Sequence, residues 1–162
     1  MRYQSRWFTR SFALVVLLAS VTPTAFAKTE TCSAIGGAIL TNLGGFGQVD
    51  GSPTTLGVAT GDLKGALGVE IISASSDFTS ITVQHHWVTE NGETLTIDQA
   101  VAHGVFVAPG LLAVTDYKVH LNGGTGRYAN ATANMTAIGE IEFNTGQAVL
   151  RYRGTLCFVS GK

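Results

Sequence analysis

Apolar and polar residues alternate along most of the chain with a period of two, which is the spacing of side chains on the two faces of a β-strand. The segment Thr115–Asn122 shows this best, because Tyr117, Val119 and Leu121 alternate with charged or polar neighbours. Long stretches with the spacing of an amphipathic helix are missing from the sequence. The pattern predicts an all-β domain with strands joined by glycine-rich turns, and it places Tyr117 inside the core.

A hairpin is predicted over Ser80–Asp98, because Asn91-Gly92 is a strong signal for a two-residue turn. A two-residue turn fixes which positions of the two strands lie opposite each other, and it places His85 directly opposite Asp98. The same face of the hairpin then carries Ile81, Val83 and Trp87.

His85 and Asp98 are the candidate catalytic residues. A carboxylate beside an imidazole orients the ring and raises its pKa, and such a pair acts as an acid or base on a bound molecule. The alternative is a structural pair without a chemical role. Trp87, Tyr117 and Tyr128 are the candidate ligand-binding residues, since flat rings stack on flat ligands, and the alternative is that they are ordinary core residues.

Residues 1–27 have the three parts of a secretory signal peptide. Three arginines precede the apolar run Ser11–Ser20, and Ala25-Phe26-Ala27 is a cleavage site. An uncleaved anchor is the alternative, but this run is short for a bilayer span, which takes roughly 20 residues. Residues 28–162 are then one domain that we expect to be secreted or periplasmic, with no membrane partner after cleavage.

Composition and spacing exclude several classes of function. Residues 28–162 hold seven Lys/Arg and eleven Asp/Glu, a formal charge of −4, which argues against a nucleic-acid partner. The most apolar later run, Val101–Val114, is interrupted by glycine and proline and is too short to span a membrane. The histidines lack the spacing of metal ligands, so we predict neither a metal site nor a cofactor.

Cys32 and Cys157 lie near the two ends of the predicted domain. In an oxidising compartment they predict one disulfide, and two buried free thiols are the alternative. The bond would close nearly the whole domain into a ring, worth roughly 4–5 kcal/mol in the chain-entropy model. A thioredoxin-like role is excluded because the chain has no C-x-x-C motif.

The loop Asn122–Ala133, with the sequence NGGTGRYANATA, lies between two predicted strands. It lacks the lysine and the following helix of a nucleotide P-loop, so we interpret it as a structural strand reversal with Tyr128 as its anchor. The residues that form the reversal are Gly123, Gly124, Thr125 and Gly126.

This loop resembles the GGTG-x-[FY]-x-x-A loop of the allene oxide cyclase and dirigent-like barrel superfamily, and the match extends over roughly Leu111–Thr155. Ala133 and Tyr128 depart from it, since glycine and phenylalanine are commoner there. The resemblance implies an antiparallel barrel of about eight strands, a homotrimer as in plant members, and a lumen that holds a reactive hydrophobic intermediate. It transfers no catalytic residue, because the sequence before Leu111 does not align with the family's functional positions.

Three functions follow from these expectations. The leading hypothesis is a non-enzymatic protein that binds a small hydrophobic molecule in the barrel lumen. The second is an isomerase, cyclase-like or dirigent-like enzyme that uses lumenal polar residues such as His85 and Asp98. The third is a structural or surface interaction protein with a solid barrel. A cavity inside the barrel would separate the third from the other two.

Overall fold

A computed structural model describes residues 29–43, 48–49 and 51–160, and the predicted signal peptide lies outside these residues. Within them no helix is long and apolar enough to cross a membrane. Two 3-10 turns, Gly61–Leu63 and Gly126–Tyr128, accompany the strands. The strands are β1 (Thr29–Asn42), β2 (Gln48–Val49), β3 (Ser52–Ala59), β4 (Gly65–Ala74), β5 (Ser80–Thr89), β6 (Thr94–Ile97), β7 (Ala100–Ala108), β8 (Leu111–Gly124), β9 (Ala131–Glu142) and β10 (Gln147–Ser160).

The strands close into an antiparallel barrel. They pair in the order β1-β10-β9-β8-β6-β5-β4-β3, and β3 pairs in turn with β1. Strands β6 and β7 both pair with β5 and β8, and together they occupy one strand position of the barrel. Eight strand positions therefore surround the interior. The predicted all-β barrel of about eight strands is confirmed. A barrel of this size has room for side chains or for one small ligand.

Strand β8 shows how the sequence pattern becomes a core. Leu112 and Val114 point inward, and the pairing then shifts by one residue between Val114 and Lys118. After this bulge the inward positions are odd-numbered, so the predicted interior set is confirmed. Its members are Tyr117, Val119 and Leu121, which are 4%, 7% and 0% exposed.

The barrel is covalently locked where its first and last strands pair. Cys32 lies directly opposite Cys157 in the β1–β10 ladder, with their Cα atoms 4.0 Å apart. The two residues form a disulfide that spans 125 positions of sequence. The predicted disulfide is confirmed, and it joins two neighbouring strands that are far apart in the sequence.

One end of the barrel is plugged by Leu63, which is 0% exposed. Its backbone N–H donates to the hydroxyl of Tyr152 at 3.0 Å, and its carbonyl accepts from Trp87 Nε1 at 2.9 Å. The Tyr152 hydroxyl donates in turn to the Thr60 carbonyl at 2.8 Å. These bonds satisfy the buried polar groups of the plug, so this end of the interior is closed.

The β5–β6 hairpin differs from the prediction by one residue. Its loop has three residues, Glu90–Gly92, because the Thr89 N–H donates to the Glu93 carbonyl at 2.8 Å. Gly92 has a φ of 83°, as expected for the glycine that ends such a loop. Trp87 therefore lies opposite Leu95.

This register makes the predicted pairing of His85 with Asp98 wrong. A slip of one residue moves every side chain of a strand to the other face, so Leu95 and Ile97 are buried and Asp98 is exposed. Burial of each large aliphatic side chain contributes about 1.5–3 kcal/mol. The two-residue turn would have exposed both of them, which is why the longer loop prevails.

Candidate functional site

The end of the barrel opposite Leu63 is open and contains an apolar pocket of about 90 Å³. Turns β4–β5, β7–β8 and β9–β10 lie at this end. Among the described residues, no charged side chain lines the pocket, and Thr41, Thr55 and Tyr117 supply its hydroxyl groups. The rest of the wall is almost wholly hydrocarbon, including Val69, Ile71, Ile81, Val83 and Leu150.

The inner wall of the pocket carries a buried hydrogen bond between two side chains. Tyr117 points inward from β8, and its hydroxyl lies 2.6 Å from Nε2 of His85 on β5. The two rings stack with their centroids 5.8 Å apart. His85 is 4% exposed. The sequence placed His85 on the same face as Ile81, Val83 and Trp87, but it did not indicate Tyr117 as the partner, because Tyr117 is on a different hairpin.

Burial keeps both partners uncharged. It lowers the pKa of His85 to about 4, with a smaller effect from the neighbouring His86. It also raises the pKa of the Tyr117 phenol well above its ordinary value. At neutral pH the imidazole is therefore neutral and the phenol keeps its proton.

The hydrogen bond leaves one polar atom of His85 unsatisfied. Nδ1 is buried and has no hydrogen-bond partner among the described residues. When the phenol donates to Nε2, the imidazole proton is on Nδ1 and is the single unpaired donor of the pair. The reverse arrangement would leave both the phenol proton and Nδ1 unpaired. A buried group of this kind costs about 1–3 kcal/mol, which favours the first arrangement.

A void of about 10 Å³ lies beside the pair, between the open pocket and the plug. It is at the lower limit for one water molecule, and a water also needs two or more polar partners. His85, Trp87, Tyr117 and Tyr152 line it together with aliphatic side chains. Because Tyr117 lines both spaces, it is the boundary between them.

Of the three predicted ligand-binding aromatics, the structure places Tyr117 in the open pocket. Trp87 lies deeper, 3% exposed, with its ring edge-on to Tyr152. Tyr128 is 1% exposed and packs against Phe158 at a centroid distance of 5.8 Å. Trp87 and Tyr128 therefore lie outside the open pocket.

The glycine loop has the geometry of a structural reversal. Gly126, with φ 57°, begins the 3-10 turn that carries Tyr128 into the core. Thr125 joins the loop to β6, because its hydroxyl accepts from the Thr94 N–H at 2.8 Å. Glu93, which the sequence analysis missed, accepts from the Arg127 N–H at 2.8 Å. At Gly124, which follows Gly123 at the end of β8, an added Cβ would collide with the Thr94 carbonyl oxygen.

Asp98 has a different histidine as its partner. Its Oδ2 lies 2.8 Å from Nδ1 of His120 on the outer wall, where the two side chains are 51% and 44% exposed. The alternation in Thr115–Asn122 predicts that His120 faces solvent, and its exposure agrees with this. The pair borders an open outer groove of about 720 Å³ that also contains Lys118 and Arg153. Exposed side-chain pairs of this kind contribute little to stability.

Three phenylalanines at the open end were not predicted as a group. The ring centroid of Phe143 lies 5.7 Å from that of Phe78 and 5.9 Å from that of Phe106. They come from the β4–β5 turn, the end of β7 and the β9–β10 turn, and Phe143 also lines the pocket. The apolar stretch Val101–Val114 is the sequence signal for Phe106, and Phe78 and Phe143 lie outside it.

One group of described residues is close enough to share a metal ion: Glu30, Cys32 and Cys157. The two sulfur atoms are joined in the disulfide. A disulfide offers no thiolate, which is the form of cysteine that binds metals, so this group does not suit a metal ion.

Two solved structures similar to this chain are dirigent proteins. The pterocarpan synthase dirigent protein GePTS1 shares 13% identity over 85% of this chain and 91% of its own, with a TM-score of 0.35. The pterocarpan synthase dirigent protein PsPTS1 shares 13% over 84% of this chain and 100% of its own, with a TM-score of 0.33. No protein-family model and no curated protein matches the chain. Both structures are of dirigent proteins, the group that the glycine loop resembles, and at these identities and TM-scores they carry no argument about family or activity.

Proposed function

We propose that the protein binds one small, uncharged, largely apolar molecule at the open end of its barrel. The observation that supports this is the apolar pocket, which is concave, free of charged lining residues in the described part of the chain, and backed by the Tyr117–His85 hydrogen bond. Such a combination of hydrocarbon walls and a few polar atoms is typical of ligand sites. The pocket also makes a solid barrel the weaker hypothesis.

The volume and lining of the pocket restrict the ligand. At about 90 Å³ it is smaller than the engineered cavity of roughly 150 Å³ that holds benzene. We expect it to accept one small ring or branched alkyl group, with the rest of the ligand between the three phenylalanines of the rim. A charged group would lose its hydration without gaining a partner, so the buried part of the ligand is neutral.

Binding without chemistry is favoured by the protonation states at the pocket wall. A general acid or base works best with a pKa near the working pH. Burial moves the pKa of His85 to about 4 and that of Tyr117 upward, so both are moved away from neutrality. An isomerase or cyclase-like activity through this pair remains the second candidate, supported by the unpaired Nδ1. If the protein has such an activity, His85→Ala would abolish turnover.

The binding proposal is tested by titrating the mature chain with toluene and following methyl NMR signals of Ile71, Val83 and Leu150. We expect saturable shifts of these signals in the wild type. Ala148→Leu adds three carbons inside the pocket and should abolish the shifts. Ala34→Leu adds the same carbons at an exposed position of β1 outside the pocket and should leave them unchanged. Unsaturable shifts in the wild type, or equal binding by the Ala148 variant, would refute the proposal.

We further propose that the protein is secreted or periplasmic. Support comes from the disulfide between Cys32 and Cys157, since such bonds persist in oxidising compartments. Fractionation of the producing cells should recover the protein outside the cytoplasm, with both cysteines resistant to alkylation because they are joined in the disulfide. Recovery in the cytoplasm with reactive thiols would contradict it.

Self-association through the barrel wall is a separate proposal. Five outward-facing apolar residues form a continuous row across β10, β1, β3, β4 and β5: Val149, Leu40, Val58, Ala66 and Val88. The solvent-exposed face of an antiparallel sheet is usually polar. We therefore propose that copies of the chain contact one another through this apolar row and form the trimer that the family resemblance implies. Light scattering should show the trimer for the wild type and for Ile138→Asp, and a monomer for Val58→Asp.

A further inference from the structure

The hairpin between β7 and β8 ends in an exposed run of apolar residues. Residues 105–109 are all exposed and all apolar, and Val105, Phe106 and Val107 are 54%, 44% and 58% exposed. Side chains on both faces of the hairpin are exposed, so it projects beyond the barrel wall. The ring of Phe106 contacts that of Phe143, which in turn contacts Phe78. We call residues 105–109 with Phe78 and Phe143 the apolar tip.

The backbone holds these rings outward. Phe78 has a φ of 57°, an unfavourable region for a residue with a side chain. Asp77 fixes this turn by accepting from the Ser75 hydroxyl at 2.7 Å and from the Thr79 hydroxyl at 2.9 Å. The Phe143 N–H donates to the Gly110 carbonyl at 2.8 Å, which ties the β9–β10 loop to the hairpin. The exposure of the tip is therefore a fixed feature of the fold.

The charges beside the tip are negative. The sequence has no charged residue from Gly104 to Thr115. Asp77 precedes Phe78, and Glu142 and Glu140 lie opposite Leu111 and Ala113 at the base of the hairpin. Hydrogen bonds lower the pKa of Asp77 and of Glu142. A partner of the tip is therefore apolar and carries no excess of negative charge.

The size of the tip decides between its possible partners. Five large side chains that are each about half exposed present roughly 400 Å² of apolar surface. A stable dimer buries roughly 800 Å² on each copy, so the tip alone is too small for one. A lipid surface requires only a few inserted apolar side chains.

We propose that the apolar tip inserts into the surface of a neutral lipid bilayer, so that the mouth of the pocket opens directly into the lipid. The choice of lipid rests on the proposed function, because an apolar ligand is concentrated in membranes and Phe143 belongs both to the tip and to the pocket. This contact is peripheral, and it differs from the sequence-based expectation of no membrane partner.

The test is co-sedimentation of the mature chain with phosphatidylcholine vesicles. We expect partition of the wild type and a loss of about tenfold or more in Val105→Ser/Val107→Ser. Val101→Ser/Ile138→Ser removes two exposed apolar side chains from the side wall and should partition like the wild type. Anionic lipid added to the vesicles should weaken partition. Phe106→Trp should be quenched by brominated lipid, whereas the buried Trp87 should not.

The proposal is overturned if the wild type does not partition, or if the tip and wall variants lose partition equally. It is also overturned if light scattering shows that the tip variant loses self-association, because the occupant is then a second copy. The toluene titration is performed without vesicles, so it reports on the pocket alone. Toluene binding without vesicle binding would refute the lipid contact and leave the ligand proposal standing. Vesicle binding without toluene binding would refute the ligand proposal.

Discussion

Replacing His85 with phenylalanine should remove much of the acid sensitivity of the fold. In the folded chain burial lowers the pKa of His85 to about 4, against an ordinary value of 6.5. Above pH 6.5 the residue is neutral in both states and makes no pH-dependent contribution. Between 6.5 and 4 the unfolded chain binds a proton that the folded chain does not, so the free energy of unfolding falls as the pH falls.

The size of this effect follows from the difference between the two pKa values. Each pKa unit is worth about 1.4 kcal/mol, so the folded chain should lose about 3 kcal/mol by the time the pH reaches 4. His85→Phe removes this loss but leaves the Tyr117 hydroxyl buried without an acceptor, which costs about 1–3 kcal/mol at every pH. His85→Phe/Tyr117→Phe removes both polar groups and should recover that cost.

The assay is denaturant unfolding of the wild type and these variants at about pH 7.5 and about pH 4.5. The wild type should lose about 2–3 kcal/mol more between these pH values than either variant with phenylalanine at position 85. Tyr117→Phe alone should be less stable than the double variant at neutral pH. An unchanged acid loss in His85→Phe would show that His85 is not buried in its neutral form and would refute the reasoning.

Three further changes test the closure of the barrel, each by denaturant unfolding at neutral pH. Cys32→Ser/Cys157→Ser should lose up to about 4–5 kcal/mol, since the disulfide closes a ring of nearly the whole domain, and no loss would mean that the unfolded chain is equally restricted without it. Leu63→Ala should cost about 2–5 kcal/mol, because the plug is fully buried, and a loss under 1 kcal/mol would show that the end is loosely packed. Gly124→Ala should cost about 1–3 kcal/mol through the collision with the Thr94 carbonyl, and wild-type stability would show that the loop can move aside.

The parts of the fold that local pattern determines were predictable from the sequence. The alternation in β8 placed Tyr117 inside, and the glycines of the loop indicated a reversal anchored by Tyr128. The disulfide followed from Cys32 and Cys157 as a lone pair of cysteines behind a predicted signal peptide. In each case the deciding feature lies within a few residues or involves a single possible pairing.

The site was less predictable, because it depends on registers and on closure. Asn91-Gly92 is compatible with two loop lengths, and these place opposite faces of β6 in the core. Leu95 and Ile97 were the available signal, since a register that buries them excludes Asp98 from the interior. The contact of Tyr117 with His85 and the gathering of Phe78, Phe106 and Phe143 join distant segments, so they appear only once the sheet is closed.

The pairing of β1 with β10 also determines how the protein can be handled. Thr29 lies opposite Ser160, while Asn42 and Gln147, at the other ends of these strands, lie beside the pocket. A tag or surface tether attached next to Thr29 or Ser160 would therefore leave the pocket facing away from the support. A short linker joining the two ends should likewise permit circularly permuted versions that are opened at an exposed turn elsewhere, such as Glu90–Gly92.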